Sequence, residues 1–490
     1  MMKNFVGKNN FLVITVFYFL PIISIIIQFM QFNLKSEIEF DRFFFNSDAV
    51  YMTQLCKDII QNNAKLTDWI IVGAPEFFPT MLINYIICFL IGNYFISQLI
   101  YLIIQILAFN IISYLLLKHF TKQNYALYFN GITNILIIFF LNIKPFEYIF
   151  ISSHHFGTYL NFLFALFLLY KNSKNKLNNI LLILFIFIAS FCNPLFLAYF
   201  LIPLVSTNFI VMMLKKTNFS KINFIYLLSG ISGFIIKKNI LTHDNCNECI
   251  NSYHNMDNIQ FDEIKISLYH IKEFFISSSS FIQNSLAFIT FFIPIFILLI
   301  IYLRQKSISS LFKENLHFFI FIIISILSTV FCFMFFPINP QFRHLYNLYF
   351  LAFLLLPILL YFYFNKLYIP KIIFYSPLFF SLSMCLININ LNKKFNFDYY
   401  PEDIKYIDSI LDEHNLKHGY TEWSYGNRLV YLSKNTITII PFHKKTPLHW
   451  DINRNWMKKD PEFIINLDPE ELGLKYSKLI QEHNLSIYIL

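Results

Sequence analysis

Long apolar runs follow one another along most of this chain, and they leave few folds open to it. Charged residues make up only 14% of the sequence, against about 25% in an ordinary soluble protein. We therefore predict an all-α polytopic membrane bundle of about 11–13 transmembrane helices, although several of the apolar runs are shorter than the ~20 residues that a straight span needs. The apolar runs fall at 11–31, 79–92, 94–117, 124–142, 155–170, 177–191, 193–214, 222–237, 281–303, 316–336, 346–364 and 371–389.

The basic residues, which give a net charge of +9, are spread over short links between these runs. This distribution favours anchoring of cytoplasmic loops over binding of nucleic acid. It predicts a multi-pass protein of the cytoplasmic (inner) membrane, with residues 32–78, 238–280 and the tail after 390 on the extracytoplasmic side. One link, Lys118–Lys122, conflicts with two full crossings between 79 and 117. The first run lacks a small-residue cleavage site after it, so we expect it to be a membrane helix.

Two domains follow from this pattern. Residues 1–390 form the transmembrane bundle, including the loops 32–78 and 238–280, and residues 391–490 form a small soluble α/β domain. Within the tail, 401–415 has apolar residues at helical spacing, Thr436–Pro441 is β-branched and predicts a strand, and 468–484 is predicted to be helical.

The first large loop carries most of the functional signal. Asn46 or Ser47 can cap a helix that runs to about residue 61. An apolar stripe of Met52, Leu55, Cys56 and Ile59 predicts that this helix lies flat on the membrane or on the bundle. Asp48 falls in its first turn. The chain then returns to the bilayer through Asp68, Trp69 and the segment PEFFP, whose prolines interrupt any helix.

This first loop, with an acidic residue beside a flat helix, then Trp and a Pro-rich return to the membrane, resembles that of the GT-C superfamily of polytopic glycosyltransferases. More narrowly, the motifs SDAVYMTQLCKDI, LTDW and PEFFPTML, together with GYTEWSYGNRLVYLS in the tail, resemble a bacterial membrane-protein family with a GT-C-like layout. The layout covers the whole chain, whereas the specific motifs lie within 48–80 and 416–456. The resemblance implies transfer of a sugar from a polyprenyl-phosphate carrier on the extracytoplasmic face.

Catalytic carboxylates are the first residues that this resemblance implies. Asp48 matches the family's loop aspartate, which would take a proton from the acceptor hydroxyl or order a metal; the alternative is that it only favours a helix N-terminus. Asp68 and Glu76 are further candidates, for which surface solvation is the alternative. The family's paired acidic signature is not matched, since Glu39 and Asp41 are not adjacent to Asp48. The cofactor is therefore left open, with a divalent metal as one alternative.

Residues for donor phosphate and for sugar can also be named. Arg343 and His344, in the late loop FPINPQFRHLYNLYF, and His154 and His155, in ISSHHFGTY, are candidate phosphate-binding residues; interfacial cations or hydrogen-bonded histidines are the alternatives. Aromatic and polar side chains suit sugar rings, and ordinary packing is the alternative. The candidates for substrate binding are Trp69, Glu422 and Trp423, alongside Tyr425, Asn427, Arg428, Trp450 and Trp456.

A further cluster, HDNCNECINSYH, places His243, Cys246, Cys249 and His254 close together. Zinc binding, a Cys246–Cys249 disulfide and plain loop all stay open. We expect a glycosyltransferase that acts on a polyprenyl-phosphate-linked sugar in contact with membrane lipid. The alternatives are a transporter or flippase of lipid-linked sugars, for which mid-membrane charges and repeated halves would be expected, and an envelope protein that binds partners through its tail.

Overall fold

The computed structural model describes most of the helices and nearly all of the tail. The described residues are mostly helical, with a small sheet in the C-terminal region. They comprise 20–31, 44–45, 47–71, 76–121, 156–171, 175–215, 221–242, 315–335, 398–443, 445–447, 452–482 and 485–490, with short pieces between 123 and 149 and between 351 and 361.

Up to residue 335, each described helix outside the first loop lies along one of the apolar runs. The runs at 281–303 and 371–389 lie outside the described residues, and those at 124–142 and 346–364 are described only in short pieces. The helices are α1 (Leu20–Gln31), α2 (Ser47–Gln61), α3 (Leu82–Ile91), α4 (Tyr94–Phe120), α5 (Phe156–Lys171), α6 (Lys176–Cys192), α7 (Ile202–Lys215), α8 (Lys221–Thr242), α9 (Leu316–Phe335), α10 (Glu402–Glu413) and α11 (Trp423–Leu432). A helical turn with irregular geometry precedes α3 at Phe77–Met81, and another precedes α7 at Leu197–Leu201.

Two of the described helical segments, Tyr94–Phe120 and Leu197–Lys215, are long and apolar enough to cross a membrane. Phe77–Ile91, Phe156–Lys171, Lys176–Cys192 and Leu316–Cys332 are apolar but shorter. These lengths and compositions indicate association with a membrane. The predicted number of crossings and their orientation stay predictions.

The strands form one mixed sheet in the tail and one short ribbon. They are β1 (Trp69–Ile70), β2 (His418–Glu422), β3 (Thr438–His443), β4 (Thr446–Pro447), β5 (Ile452–Asn453), β6 (Phe463–Ile465), β7 (Lys478–Glu482) and β8 (Leu485–Ile489). The sheet order is β4-β3-β2-β6-β8-β7, with β2 parallel to both β3 and β6 and the other pairs antiparallel. Separately, β1 pairs antiparallel with β5.

The tail confirms two predictions and corrects one. The predicted helix is α10, whose four apolar residues Ile404, Ile407, Ile410 and Leu411 are all buried. The predicted strand is β3, shifted by two residues. The predicted helix over 468–484 is wrong, because Lys478–Glu482 pairs with Leu485–Ile489 as a β-hairpin.

By their contacts, the residues fall into two compact units. One consists of 1–25, 104–150 and 155–389, and the other of 26–103, 151–154 and 390–490. In the first unit, α8 packs on α6, α5 on α6 and α7 on α9. A polar chain also runs through it, in which His317 bonds Tyr170 through Nδ1 (2.8 Å) and Asn208 through Nε2 (2.9 Å).

In the second unit, packing joins the first loop to the tail. The helix α11 connects β2 to β3 and packs on that sheet, α2 packs on α11, and α3 packs on α2. Every residue of α2 from 49 to 56 is buried. Of the predicted stripe, Met52, Leu55 and Cys56 are therefore buried and Ile59 is half-buried. The polar residues Thr53 and Gln54 are buried as well. Residues 49–56 are thus covered on every face of the helix, whereas Lys57, Ile59 and Ile60 are half-buried and Gln61 is exposed. The expectation that the helix lies flat on the membrane or on the bundle stays a prediction.

An ion pair fastens α11 to α10 within the tail. Arg428 donates to both carboxylate oxygens of Asp403, at 2.8 and 3.3 Å, and the Tyr425 hydroxyl donates to Asp403 Oδ2 at 2.6 Å. Burial alone would raise the pKa of Asp403, but the bonds from Arg428 and Tyr425 outweigh it, so the pKa lies below its usual range. Two of the residues proposed for sugar recognition, Tyr425 and Arg428, thus contact Asp403.

Candidate functional site

A buried carboxylate joins the first loop to the tail. Asp58, on α2, is only 4% exposed. Its Oδ2 accepts hydrogen bonds from Trp69 Nε1 and Asn453 Nδ2, both at 2.8 Å, and its Oδ1 accepts one from Asn62 Nδ2 at 2.8 Å. Since an unpaired buried charge is costly, these donors are what allow Asp58 to be buried.

The backbone on either side of this carboxylate is paired as well. Trp69 and Ile70 of β1 lie opposite Asn453 and Ile452 of β5, and the Arg454 amide donates to the Asp68 carbonyl at 2.7 Å. The Trp69 ring is 3% exposed and meets the Trp456 ring edge to face, with centroids 5.5 Å apart. Trp69 therefore has its indole N–H bonded and its ring buried, while the predicted role in sugar binding stays a prediction.

The two described candidate bases stand in different surroundings. Asp68 is half-buried, and its Oδ2 accepts a hydrogen bond from the Lys65 amide at 2.9 Å, which closes the short turn Leu66–Asp68. Glu76 is 3% exposed and accepts a hydrogen bond from Thr80 Oγ1 at 3.2 Å. A solvated surface role, the alternative named for both, does not fit Glu76, because its side chain is buried.

The backbone at Glu76 is also unusual. Its φ is +47°, the left-handed region, which a non-glycine residue adopts at a cost. It stands directly before the turn that leads into α3, and its carbonyl accepts from the Met81 amide at 3.1 Å. Thr80 is followed on the same face by buried Asn84, whose amide donates to the Thr80 carbonyl at 3.0 Å. A carboxylate is thus held in one fixed place at the entry to an apolar helix.

The remaining predicted site residues are placed as follows. Glu422 is exposed at the end of β2, and Trp423, half-buried, begins α11. Asp48 belongs to the first turn of α2, but its side chain lies outside the described residues. Also outside them are Glu39, Asp41, His154, His155, Arg343, His344 and Trp450, and the cluster of His243, Cys246, Cys249 and His254.

Sequence reasoning missed a lysine that caps a helix from another segment. The Lys57 ammonium donates to the carbonyls of Val430 (3.0 Å), Tyr431 (3.4 Å) and Ser433 (3.1 Å), at the end of α11. Carbonyls at a helix C-terminus lack partners within the helix and favour a cation. The only signal in the sequence was a lysine beside the apolar stripe of α2, which is equally typical of a solvated residue.

The titration of Lys57 makes part of the free energy of unfolding depend on pH. Burial lowers the pKa of Lys57 to about 8, against a smaller opposite effect of the Asp408 charge. Between about pH 8 and pH 10.5 the unfolded chain binds a proton that the folded chain does not, so this group's contribution to stability rises with pH, by no more than roughly 3 kcal/mol.

We expect the melting temperature of the wild type minus that of Lys57→Met to increase from pH 7 to pH 10. Exposed Lys405→Met is the control, and parallel profiles for Lys57→Met and wild type would contradict the expectation.

A small cavity of about 40 Å³ opens beside Lys57. Gln54 contributes an amide that is buried and has no hydrogen-bond partner among the described residues. A cavity of this size holds one or two water molecules, not a sugar ring. Its lining consists of Gln54, Lys57, Asp58, Gln61, Asn62, Val430, Lys434, Asn435, Thr436, Ile437 and Trp456.

Within the part of the chain that is described, no group of three or more His, Cys, Asp or Glu side chains is arranged to hold a metal ion. The acidic residues near the start of α2, including Asp48, fall outside that search. No protein-family model matches the sequence, and no curated protein matches it. The case for a function therefore rests on the residues and their geometry.

Proposed function

We propose that this protein is a membrane glycosyltransferase that moves a sugar from a polyprenyl-phosphate donor to a cell-envelope acceptor on the extracytoplasmic face. The observation that carries the proposal is the packing of the first loop on the tail. These are the two segments, 48–80 and 416–456, that hold the motifs of the GT-C resemblance. Residues within them meet through Asp58, Lys57 and the β1–β5 ribbon.

This packing also bears on topology. A bilayer cannot separate two segments that share a buried interface, so this packing supports the proposed placement of the first loop and the tail on the same side of the membrane. The basic links between apolar runs favour the extracytoplasmic side. We expect a reporter fused after Leu490 to score extracytoplasmic, as would one inserted in the loop near Asn63. A cytoplasmic score for the tail reporter would overturn the topology and most of the argument for the site.

An apolar surface on α3 supports contact with lipid. Asn84, Ile87 and Cys88 are buried, whereas the opposite side of this helix is apolar and exposed. A helix that buries a polar residue such as Asn84 and exposes an apolar stripe is the reverse of the surface helix of a soluble protein. Such an exposed apolar stripe suits contact with hydrocarbon. The exposed residues repeat at helical spacing: Leu82, Tyr85, Ile86, Phe89 and Leu90.

The chemistry assigns roles to the candidates. A carboxylate, Asp48 or Glu76, takes the proton of the acceptor hydroxyl as that oxygen bonds to the anomeric carbon of the donor. The bond from that carbon to the phosphate oxygen breaks, and the charge on the leaving phosphate is stabilised by Arg343, His344, His154 and His155. Placing Glu76 at the start of an apolar helix suits a donor whose chain stays in hydrocarbon while its phosphate reaches water.

The experiment is a transfer assay with purified full-length protein in lipid nanodiscs. Polyprenyl-phosphate donors with radiolabelled sugars are incubated with a cell-envelope fraction, and both released polyprenyl phosphate and labelled acceptor are measured. Transfer that depends on the protein supports the proposal. The same donors in sealed vesicles test the alternative: movement of the intact lipid-linked sugar across the bilayer, without cleavage, would indicate a transporter or flippase and overturn the proposal.

A further inference from the structure

The cavity beside Lys57 has a buried amide in its wall. Its lining comes from the first loop and from the tail, and all of it belongs to one compact unit. Gln54 is 1% exposed, and its amide oxygen and amide nitrogen are both buried without a hydrogen-bond partner among the described residues. An unpaired buried amide destabilises the fold. A ligand that brings one hydrogen-bond donor and one acceptor into the cavity offsets that cost.

The charged groups around the cavity are already paired. Lys57 donates to three carbonyls, and Asp58 accepts three hydrogen bonds. The Lys434 ammonium lies 3.4 Å from the Asp398 carboxylate and 4.5 Å from the centre of the Tyr400 ring. An anion such as phosphate is bound by free cationic donors, so the cavity favours an uncharged group.

The volume of about 40 Å³ limits the size of the group that enters. Two hydroxyl groups can take the place of two water molecules there, whereas a whole sugar ring does not fit. Neighbouring hydroxyls complement the Gln54 amide, because one donates to Oε1 while the other accepts from Nε2. The rest of a sugar ring then lies against the rim, where Gln61, Asn62, Lys434 and Thr436 are polar and exposed.

We propose that this cavity is a glycan-binding subsite, in which Gln54 holds two neighbouring hydroxyl groups of a saccharide acceptor. The proposal rests on the proposed function and deepens it, because it makes the cell-envelope acceptor a glycan. Asp58 lines the same cavity and accepts hydrogen bonds from Trp69 and Asn453 of the β1–β5 ribbon. The contact between first loop and tail therefore also fixes the walls of the subsite.

Saturation-transfer NMR on the full-length protein in nanodiscs tests the proposal. The probes are methyl glycosides of glucose, galactose and mannose at millimolar concentration. Acetamide is the comparison ligand, because it also carries a donor and an acceptor. We expect at least one glycoside to bind, with saturation concentrated on the protons beside one pair of neighbouring hydroxyls.

Gln54→Met keeps nearly the length of the side chain but cannot pair with hydroxyl groups. We expect it to weaken glycoside binding by about tenfold or more. Its melting temperature should stay equal to that of the wild type or rise, because the unpaired buried amide is removed. Gln481→Met is the matched control, since residue 481 is exposed on β7, and it should keep glycoside binding.

Failure of all three glycosides to bind, as expected of a cavity that holds water only, would overturn the proposal. So would unchanged binding in Gln54→Met, or binding of acetamide without any glycoside. The NMR measurement contains no polyprenyl-phosphate donor, so the two proposals fail separately. A protein that binds a glycoside but transfers no sugar contradicts only the transferase, and one that transfers sugar but binds no glycoside contradicts only the subsite.

Discussion

Glu76→Gln is expected to lower the rate of polyprenyl phosphate release by about 100-fold or more. Glutamine keeps the length of the side chain and can still accept the hydrogen bond from Thr80, so only the negative charge is removed. The left-handed backbone of residue 76 is strained to the same degree by either residue. The rate is measured in nanodiscs under single-turnover conditions, with the melting temperature measured in parallel.

Glu413→Gln is the matched control, because it makes the same change at an exposed residue at the end of α10. We expect it to keep the wild-type rate. If Glu76→Gln melted normally and also kept the wild-type rate, Glu76 would be a buried structural acid, and the base would be sought at Asp48, Asp68 and Asp41.

Asp48→Asn separates the two interpretations of Asp48 in the same assay. Asparagine keeps a polar cap at the start of α2, so loss of the capping charge alone costs at most ~1 kcal/mol. A general base would lose about 100-fold or more in rate. A variant that melts and turns over normally would leave Asp48 as a residue that stabilises the helix start.

Asp58→Ala is expected to destabilise the unit of the first loop and tail by about 3–5 kcal/mol. The change removes one acceptor but leaves the donors Trp69 Nε1 and Asn453 Nδ2 buried and unpaired. The β1–β5 ribbon beside them should open early. Thermal melting gives the loss of stability, and limited proteolysis near residues 62–71 detects the opening of the loop.

Asp412→Ala, at an exposed carboxylate on α10, is the control and should change stability by no more than about 0.5 kcal/mol. Asp58→Asn should fall between the two, since its amide oxygen still accepts a hydrogen bond. A loss below about 1 kcal/mol for Asp58→Ala would mean that water replaces the carboxylate, and that Asp58 does not hold the loop on the tail.

Local patterns predicted the elements whose partners are close in sequence. The apolar spacing of Ile404, Ile407, Ile410 and Leu411 predicted α10, because an amphipathic helix in a small domain buries one face. The segment 468–484 was misread because its state depends on pairing: β7 is a mostly exposed edge strand whose conformation is set by hydrogen bonds to β8.

The site was less predictable, since its contacts join residues far apart in sequence. The sequence around Asp58 gives no sign that Asn453 donates a hydrogen bond to its carboxylate. The sequence around Lys57 likewise gives no sign that its ammonium binds the carbonyls at the end of α11. The stripe of Met52, Leu55, Cys56 and Ile59 predicted one buried face of α2, and Ile59 is only half-buried. Thr53 and Gln54, outside that stripe, are buried as well. The polar residues of the LTDW motif were proposed for chemistry, and the structure shows that Asp68 and Trp69 also form contacts within the unit.

Asp58 and Asn453 are separated by 395 positions in the sequence, so the two partners are synthesised at very different times. At about 5–20 residues per second, roughly 20–80 s pass between the emergence of α2 and that of its last partner. Throughout this interval α2, with Thr53, Gln54 and Asp58, has neither α11 nor β5 to cover it. In the topology proposed above, the first loop therefore stays outside the membrane without its packing partners until the tail has been synthesised. If synthesis stops before the tail, the first loop has nothing to fold against, and under the proposed topology we expect such a truncated chain to be degraded by proteases of the cell envelope.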